Sequence, residues 1–174
     1  AFAVYKIGSD LDVSIPRRER KVSAGHRGFV VEGDPAMSFH EACSRRDFTI
    51  NAILKDAITG EIVDPYEGRR DIERKVLRMV SRDTFAEDSL RVLRACQFAA
   101  RFEYEIEANT IEVCRSIDLS DLPNERIWGE LEKLLLKPKR PSIGLKLSYE
   151  LGVVDQRLPD MASQVGVPQA PDRH

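Results

Sequence analysis

Along AFAVYKIGSDLDVSIPRRER, apolar and polar side chains alternate, the period-two signature of strands, with Gly8 and Ser9 supplying a turn between two of them. In the second strand Leu11, Val13 and Ile15 share one face, so Asp10, Asp12 and Ser14 share the other. Two carboxylates on one strand face suit a metal ion and suit a solvated sheet face equally well. A two-stranded sheet is marginal alone, so partner strands are expected to precede residue 1. Residues 17–37 are aperiodic, with scattered Gly and Arg, and predict a mobile loop. Ser38 with Glu41 three positions on is a capping box that predicts a short helix running toward Arg45 and Arg46. NAILKDAITGEIVDP then reads as a strand, a turn at Thr59 and Gly60, and a returning strand. RRDIERKVLRMV leads back through helix to core.

From Thr84 the period changes. Thr84 and Glu87 form a second capping box, and EDSLRVLRACQFAARFEYEI carries Leu90, Leu93 and Cys96 or Gln97 at helical spacing. ANTIEVCRSI, NERIWGELEKLLL with a candidate cap at Asn124, and PSIGLKLSYELGV continue the helical pattern. Strands first and helices afterwards predict an α+β architecture: a sheet-containing part over residues 1–80 and an all-helical part over 81–155. Residues 156–174 read as a Pro- and Gly-containing linker.

Composition narrows the picture. The chain is 42% hydrophobic and 32% charged, enough to bury a core, and no apolar run is long enough to span a membrane. No basic-then-apolar leader opens it, so a cytoplasmic location is expected. Lys and Arg number 27 against 29 Asp and Glu, so nucleic acid can be attracted only by local clusters. Three exist: Arg17, Arg18, Arg20, Lys21 and Arg27; Arg69, Arg70, Arg74, Lys75 and Arg78; and Lys133, Lys137, Lys139 and Arg140. Such a cluster is a solvated face unless something else points to a ligand. Cys43, Cys96 and Cys114 are odd in number and widely spaced, which predicts reduced thiols packed as small hydrophobes.

Two stretches carry candidate chemistry. Asp88, Arg91 and Arg94 recur at intervals of three, on one predicted helical stripe. An acceptor beside a planar donor fork is what reading the polar edge of a base requires, while an ion pair on a surface helix gives the same pattern. In SRRDFTINAI, Arg46 is placed to hold a triphosphate, and Asp47 and Asn51 to meet a ribose hydroxyl. Alternatively Arg46 pairs with Asp47, and Asn51 satisfies backbone groups. No Gly-rich phosphate loop is present, and phosphoryl transfer without one rests on carboxylate-bound metal ions, for which Asp12, with Asp10 beside it, is the available candidate.

RRDFTINAI, GEIVDPYEGRRDIERKVLRMV, EDSLRVLRACQFAARF and NERIWGELEKLL, in that order and spacing, resemble the successive motifs of the bacterial and eukaryotic-type tRNA nucleotidyltransferases and their bacterial poly(A) polymerase relatives. The resemblance covers roughly residues 1–155. It implies a nucleotidyltransferase palm sheet followed by a helical neck and body, and template-independent addition of CMP and AMP to the 3′ end of tRNA from CTP and ATP, with Mg²⁺ as cofactor. It also implies that Asp88 and Arg91 act as a protein template for the incoming base, and that Arg46, Asp47, Asn51 and Arg94 bind the nucleotide. A poly(A) polymerase and a non-catalytic RNA-binding module are the alternatives.

The chain departs from the family pattern at several points. The family's paired aspartates that bind magnesium are expected upstream, leaving Asp12 as a third, assisting carboxylate and metal ligand, so the chain alone is expected to be inactive. Gln97 stands where many relatives have a further nucleotide-contacting arginine, and Ala42 where an acidic residue is common. GVPQAPDRH resembles the approach to an HD phosphohydrolase domain, which is expected to follow residue 174 in some relatives.

Overall fold

A computed structural model describes residues 4–9, 11–21 and 29–168. The chain divides into two compact units, residues 1–44 and 45–174.

In the first unit, β1 (Val4–Ile7) and β2 (Leu11–Ser14) pair antiparallel around Gly8, whose φ of 67° is the left-handed conformation such a turn needs. Residues 17–37, read from the sequence as a mobile loop, instead contain β3 (Arg17–Lys21) and β4 (Phe29–Gly33), also antiparallel. The charged run RRERK hid this strand, because a backbone ladder needs no apolar alternation to form. α1 (Phe39–Ser44) begins where the capping box predicts, with the Glu41 N–H donating to Ser38 Oγ at 3.2 Å.

In the second unit a 3-10 turn (Thr49–Asn51) precedes a small hairpin of β5 (Leu54–Lys55) and β6 (Ile62–Val63). The Asp56 carboxylate pins the intervening turn by accepting the N–H groups of Ile58 and Thr59 at 2.7 and 2.8 Å. Asp64 accepts from the first N–H groups of α2 (Gly68–Arg74), at 2.7 Å from Gly68 and 2.9 Å from Arg69. β7 (Val76–Leu77) then runs parallel to β8 (Glu105–Ile106).

The rest is helical: α3 (Arg82–Ala86), α4 (Leu90–Phe102), α5 (Ala108–Ser116), α6 (Asn124–Leu136), α7 (Pro141–Glu150), α8 (Val153–Arg157) and α9 (Pro159–Ala162). α4 is the hub, packing against both α6 and α7. Leu90, Val92, Leu93, Cys96 and Ala99 of α4 join Ile127, Leu131 and Leu134 of α6 in one buried cluster that also takes in Phe48 and Leu77. The sheet elements just upstream therefore share a core with the first long helix. Gly144 lets α7 approach closely, since a Cβ there would lie 2.9 Å from the Cys96 carbonyl oxygen and from the Leu134 side chain.

Two predicted helix starts are corrected. Thr84 lies inside α3, which starts at Arg82 after an extended Ser81, because Phe85 is drawn fully into the core. Asn124 is the first residue of α6 and not its cap; its side-chain oxygen instead accepts from Arg157 Nη2 at 3.0 Å. The three cysteines are buried, as small hydrophobes are, and burial pushes the Cys96 and Cys114 thiols up to about 12. Among the described residues no helix is long and apolar enough to cross a membrane.

Candidate nucleotide site

The segment after Arg46 is held in an extended pose by the Phe48–Met79 bridge, with Thr49 N–H on the Arg78 carbonyl at 2.9 Å and Val80 N–H on the Asp47 carbonyl at 3.2 Å. Phe48 is fully buried and meets Phe85 and Phe98 edge-on, at centroid distances of 5.6 and 5.8 Å. Asp47 Oδ1 accepts from the Phe48 N–H at 2.9 Å and from Asn51 Nδ2 at 3.0 Å. Oδ2 lies 2.7 Å from Arg94 Nε and 2.6 Å from Arg94 Nη2.

The partner of Asp47 is therefore Arg94 and not its neighbour Arg46, which is exposed. Arg94 is further steadied by Glu130 Oε1 at 3.7 Å and by the Phe98 ring, whose centroid lies 4.9 Å from the guanidinium carbon. Glu130 is itself buried, with Oε1 also accepting from Lys133 at 2.8 Å. Among the described residues, its Oε2 and the buried Nε2 of Gln97 meet no hydrogen-bond partner.

Arg91, one turn before Arg94, donates from Nη1 to the Thr84 carbonyl and from Nη2 to the Arg45 carbonyl at 2.6 Å, with the Phe85 ring 5.9 Å away. Burial pulls its pKa down, while Asp88, Asp47 and Glu87 oppose the shift. A guanidinium has five N–H donors, so two protein carbonyls leave donors over for a ligand.

Asp88 sits just ahead of α4, not on it. Its Oδ1 accepts from the Leu90 N–H at 3.3 Å, and its Oδ2 takes Arg126 Nη2 at 3.1 Å as hydrogen-bond partner. Asp88 and Arg126 are each about a third exposed, so their pair is of the modestly stabilising, solvent-screened kind.

Asp47, Asn51 and Arg94 thus form one hydrogen-bonded cluster, and Arg91 and Asp88 flank the start of the same helix. Arg126 and Glu130 were missed by sequence reading. Their spacing of four, on the stripe beside Ile127, Leu131 and Leu134, was the available sign that they face α4. Asp12 belongs to the first unit, exposed on β2 opposite Lys6. Asp10 lies outside the described residues. Among the described residues no three His, Cys, Asp or Glu side chains gather as a metal site. Asp12 alone supplies one carboxylate, short of the oxygen set that Mg²⁺ needs.

Two family models match: "Poly A polymerase head domain" over residues 2–78, and "Probable RNA and SrmB- binding site of polymerase A" over residues 103–165. A "Multifunctional CCA protein" of Stenotrophomonas maltophilia (strain K279a) is 44% identical over 170 residues, covering 94% of this chain and 41% of that relative. A protein of the same description from Xylella fastidiosa (strain M23) is 39% identical, with 94% and 40% covered. The chain thus spans about two fifths of the length of these relatives. Among solved structures, the Bacillus stearothermophilus CCA-adding enzyme in complex with CTP is similar at a TM-score of 0.64 and 34% identity, over 71% of this chain and 31% of that one. A tRNA nucleotidyltransferase complexed with a primer tRNA and an incoming ATP analog is similar at a TM-score of 0.66 and 27% identity, over 78% and 43%. Four sequence motifs, two family models and the shared fold agree, and the chain belongs to the tRNA nucleotidyltransferase and poly(A) polymerase family.

Proposed function

We propose that the protein to which this chain belongs adds CMP and AMP to the 3′ end of tRNA, and that the start of α4 reads the incoming base. The observation that carries this reading is the partly exposed carboxylate of Asp88 beside the donor-rich guanidinium of Arg91, both fixed by protein partners. Cytosine and adenine each present an exocyclic amino group that donates, whereas guanine and uracil present a carbonyl that accepts. A carboxylate facing that position attracts the first pair and repels the second. Arg91 then supplies donors to the neighbouring ring acceptors.

Asp47 is saturated by Phe48, Asn51 and Arg94, so it acts by aiming Arg94 and not by direct contact. Arg94 and exposed Arg46 are the cations for the phosphates, and Asn51 is available to the ribose through its amide oxygen. Arg126 and Glu130 hold Asp88 and Arg94 from α6. Asp12 contributes one carboxylate toward Mg²⁺ in the whole protein. Residues 1–80 serve as head, 81–155 as neck and body and 156–174 as linker, and the head-domain match, which ends at residue 78, supports the first of these boundaries. The reaction takes place in the cytoplasm.

The test is incorporation by the whole protein with two acceptors, tRNA lacking its terminal CCA and an oligo(A) primer, and with CTP and ATP supplied separately. Extension of the tRNA that requires CTP is expected. Extension of oligo(A) by ATP alone, with CTP ignored, would assign the protein to poly(A) synthesis instead.

A further inference from the structure

The second basic cluster of the sequence remains unused by the nucleotide site. In the structure, Arg70, Arg74 and Arg78 converge on one cleft of about 390 Å³, lined also by Tyr66, Glu67 and Asp71. Arg70 and Arg74 are one helical turn apart on α2 and stand on the same side.

The charges in the cleft are not equally committed. Arg78 is neutralised by buried Asp71, whose Oδ2 lies 3.1 Å from Nε, and by Glu107 at 3.6 Å. Asp71 is in turn fixed by the Thr49 hydroxyl at 2.7 Å. This part of the wall is fixed and supplies no spare positive charge. Among the described residues Arg70 pairs with Glu67, at 3.0 Å, and the two side chains are 53% and 71% exposed. An ion pair so exposed is worth little and gives way to a phosphate group, whose non-bridging oxygens offer the guanidinium a paired acceptor. Arg74 is exposed. Two guanidiniums of adjustable pose thus face a concave wall with an aromatic ring, the composition that accepts a phosphate with a sugar or base beside it. The chain's net charge of −2 provides no long-range attraction, so any grip on a polyanion has to come from such local sites.

We propose that this cleft is a phosphate-binding site, separate from the base-reading residues, that takes a backbone phosphate of RNA or free pyrophosphate. The RNA assignment rests on the reading of the protein as one that acts on RNA; the phosphate chemistry does not.

The experiment compares the full chain with Arg70→Gln/Arg74→Gln and with Arg70→Lys/Arg74→Lys. Fluorescence anisotropy reads the binding of a labelled tRNA acceptor hairpin over a range of salt concentrations, and calorimetry reads pyrophosphate and CTP separately. The glutamine pair is expected to weaken the responsible ligand about tenfold. If the ligand is RNA, the slope of log affinity against log salt falls by about 0.7 to 0.9 for the one lost phosphate contact. The lysine pair keeps most of the binding, which distinguishes lost charge from misfolding.

Loss confined to the hairpin assigns the site to RNA backbone, and loss confined to pyrophosphate assigns it to the free anion. Unchanged affinity for both, or no binding of either by the unsubstituted chain, overturns the proposal. The preference for CTP over UTP, titrated on the same samples, reports on the base-reading site because the phosphates are common to both, so a failure there is seen separately.

Discussion

Arg94→Met is expected to lower the free energy of unfolding by about 2 to 4 kcal/mol and to remove nucleotide binding. The Asp47 side chain is only 8% exposed, and Arg94 is the cation that compensates it, through contacts of 2.7 and 2.6 Å. Methionine fills much of the same space but leaves a buried carboxylate without its counter-ion. Breaking such a pair costs about 3 to 5 kcal/mol when both partners are buried. Arg94 is 30% exposed, and Asp47 keeps two N–H donors, so the cost falls about 1 kcal/mol below that range. Glu130, 4% exposed, loses a cation as well but keeps Lys133 at 2.8 Å. Urea denaturation reads the effect as a lower midpoint with an unchanged slope. A loss below about 0.5 kcal/mol would mean that the pair behaves as an ordinary surface bridge and that Asp47 is not organised by it.

Gly68→Ala is expected to be nearly as damaging, although it adds only one methyl group. A Cβ at residue 68 would collide with the Thr49 carbonyl oxygen and approach the Thr49 carbonyl carbon to 2.8 Å and Ile53 Cγ1 to 2.9 Å. The obstacle is backbone, which cannot swing aside as a side-chain tip does. The same Thr49 carbonyl closes the 3-10 turn by accepting the Ala52 N–H at 3.0 Å, and Thr49 Oγ1 donates to Asp71 at 2.7 Å. Separating α2 from this turn strains both bonds and shifts Asn51, which lies in the turn. A cost of about 3 kcal/mol is expected, the upper part of what overpacking produces, with weaker nucleotide binding in the molecules that remain folded. Wild-type thermal stability in this variant would show that the turn and α2 are less tightly joined than the geometry requires.

What could be read in advance follows from how local each feature is. The long helices were legible because α4, α6 and α7 each bury a face at a spacing that repeats within one element. The start of α1 was legible because Ser38 and Glu41 lie within a single turn. By contrast, the partner of Asp47 is 47 residues away, and the adjacent Arg46 was an equally good candidate until folding decided. The pairing of Asp88 with Arg126 spans 38 residues and is likewise invisible to periodicity. β3 escaped because it is written in charged residues. Thr84 and Glu87 satisfy the capping-box pattern, yet core burial of Phe85 sets where α3 begins and so overrides them. Asp88, Arg91 and Arg94 read in the sequence as one helical stripe; in the structure Asp88 precedes the helix and pairs with Arg126 of α6.

The central claim is that the start of α4 distinguishes amino-bearing from carbonyl-bearing bases. It is tested most directly by calorimetric titration of CTP, ATP, GTP and UTP into the full chain and into its Asp88→Ala variant. The unsubstituted chain is expected to prefer CTP and ATP by about 1 to 3 kcal/mol, the discrimination typical of a paired donor and acceptor contact. Asp88 is partly exposed and its ion pair is weak, so the variant is expected to fold and to bind all four nucleotides with similar affinity. Equal affinities in the unsubstituted chain, or a preference that survives Asp88→Ala, would contradict the account.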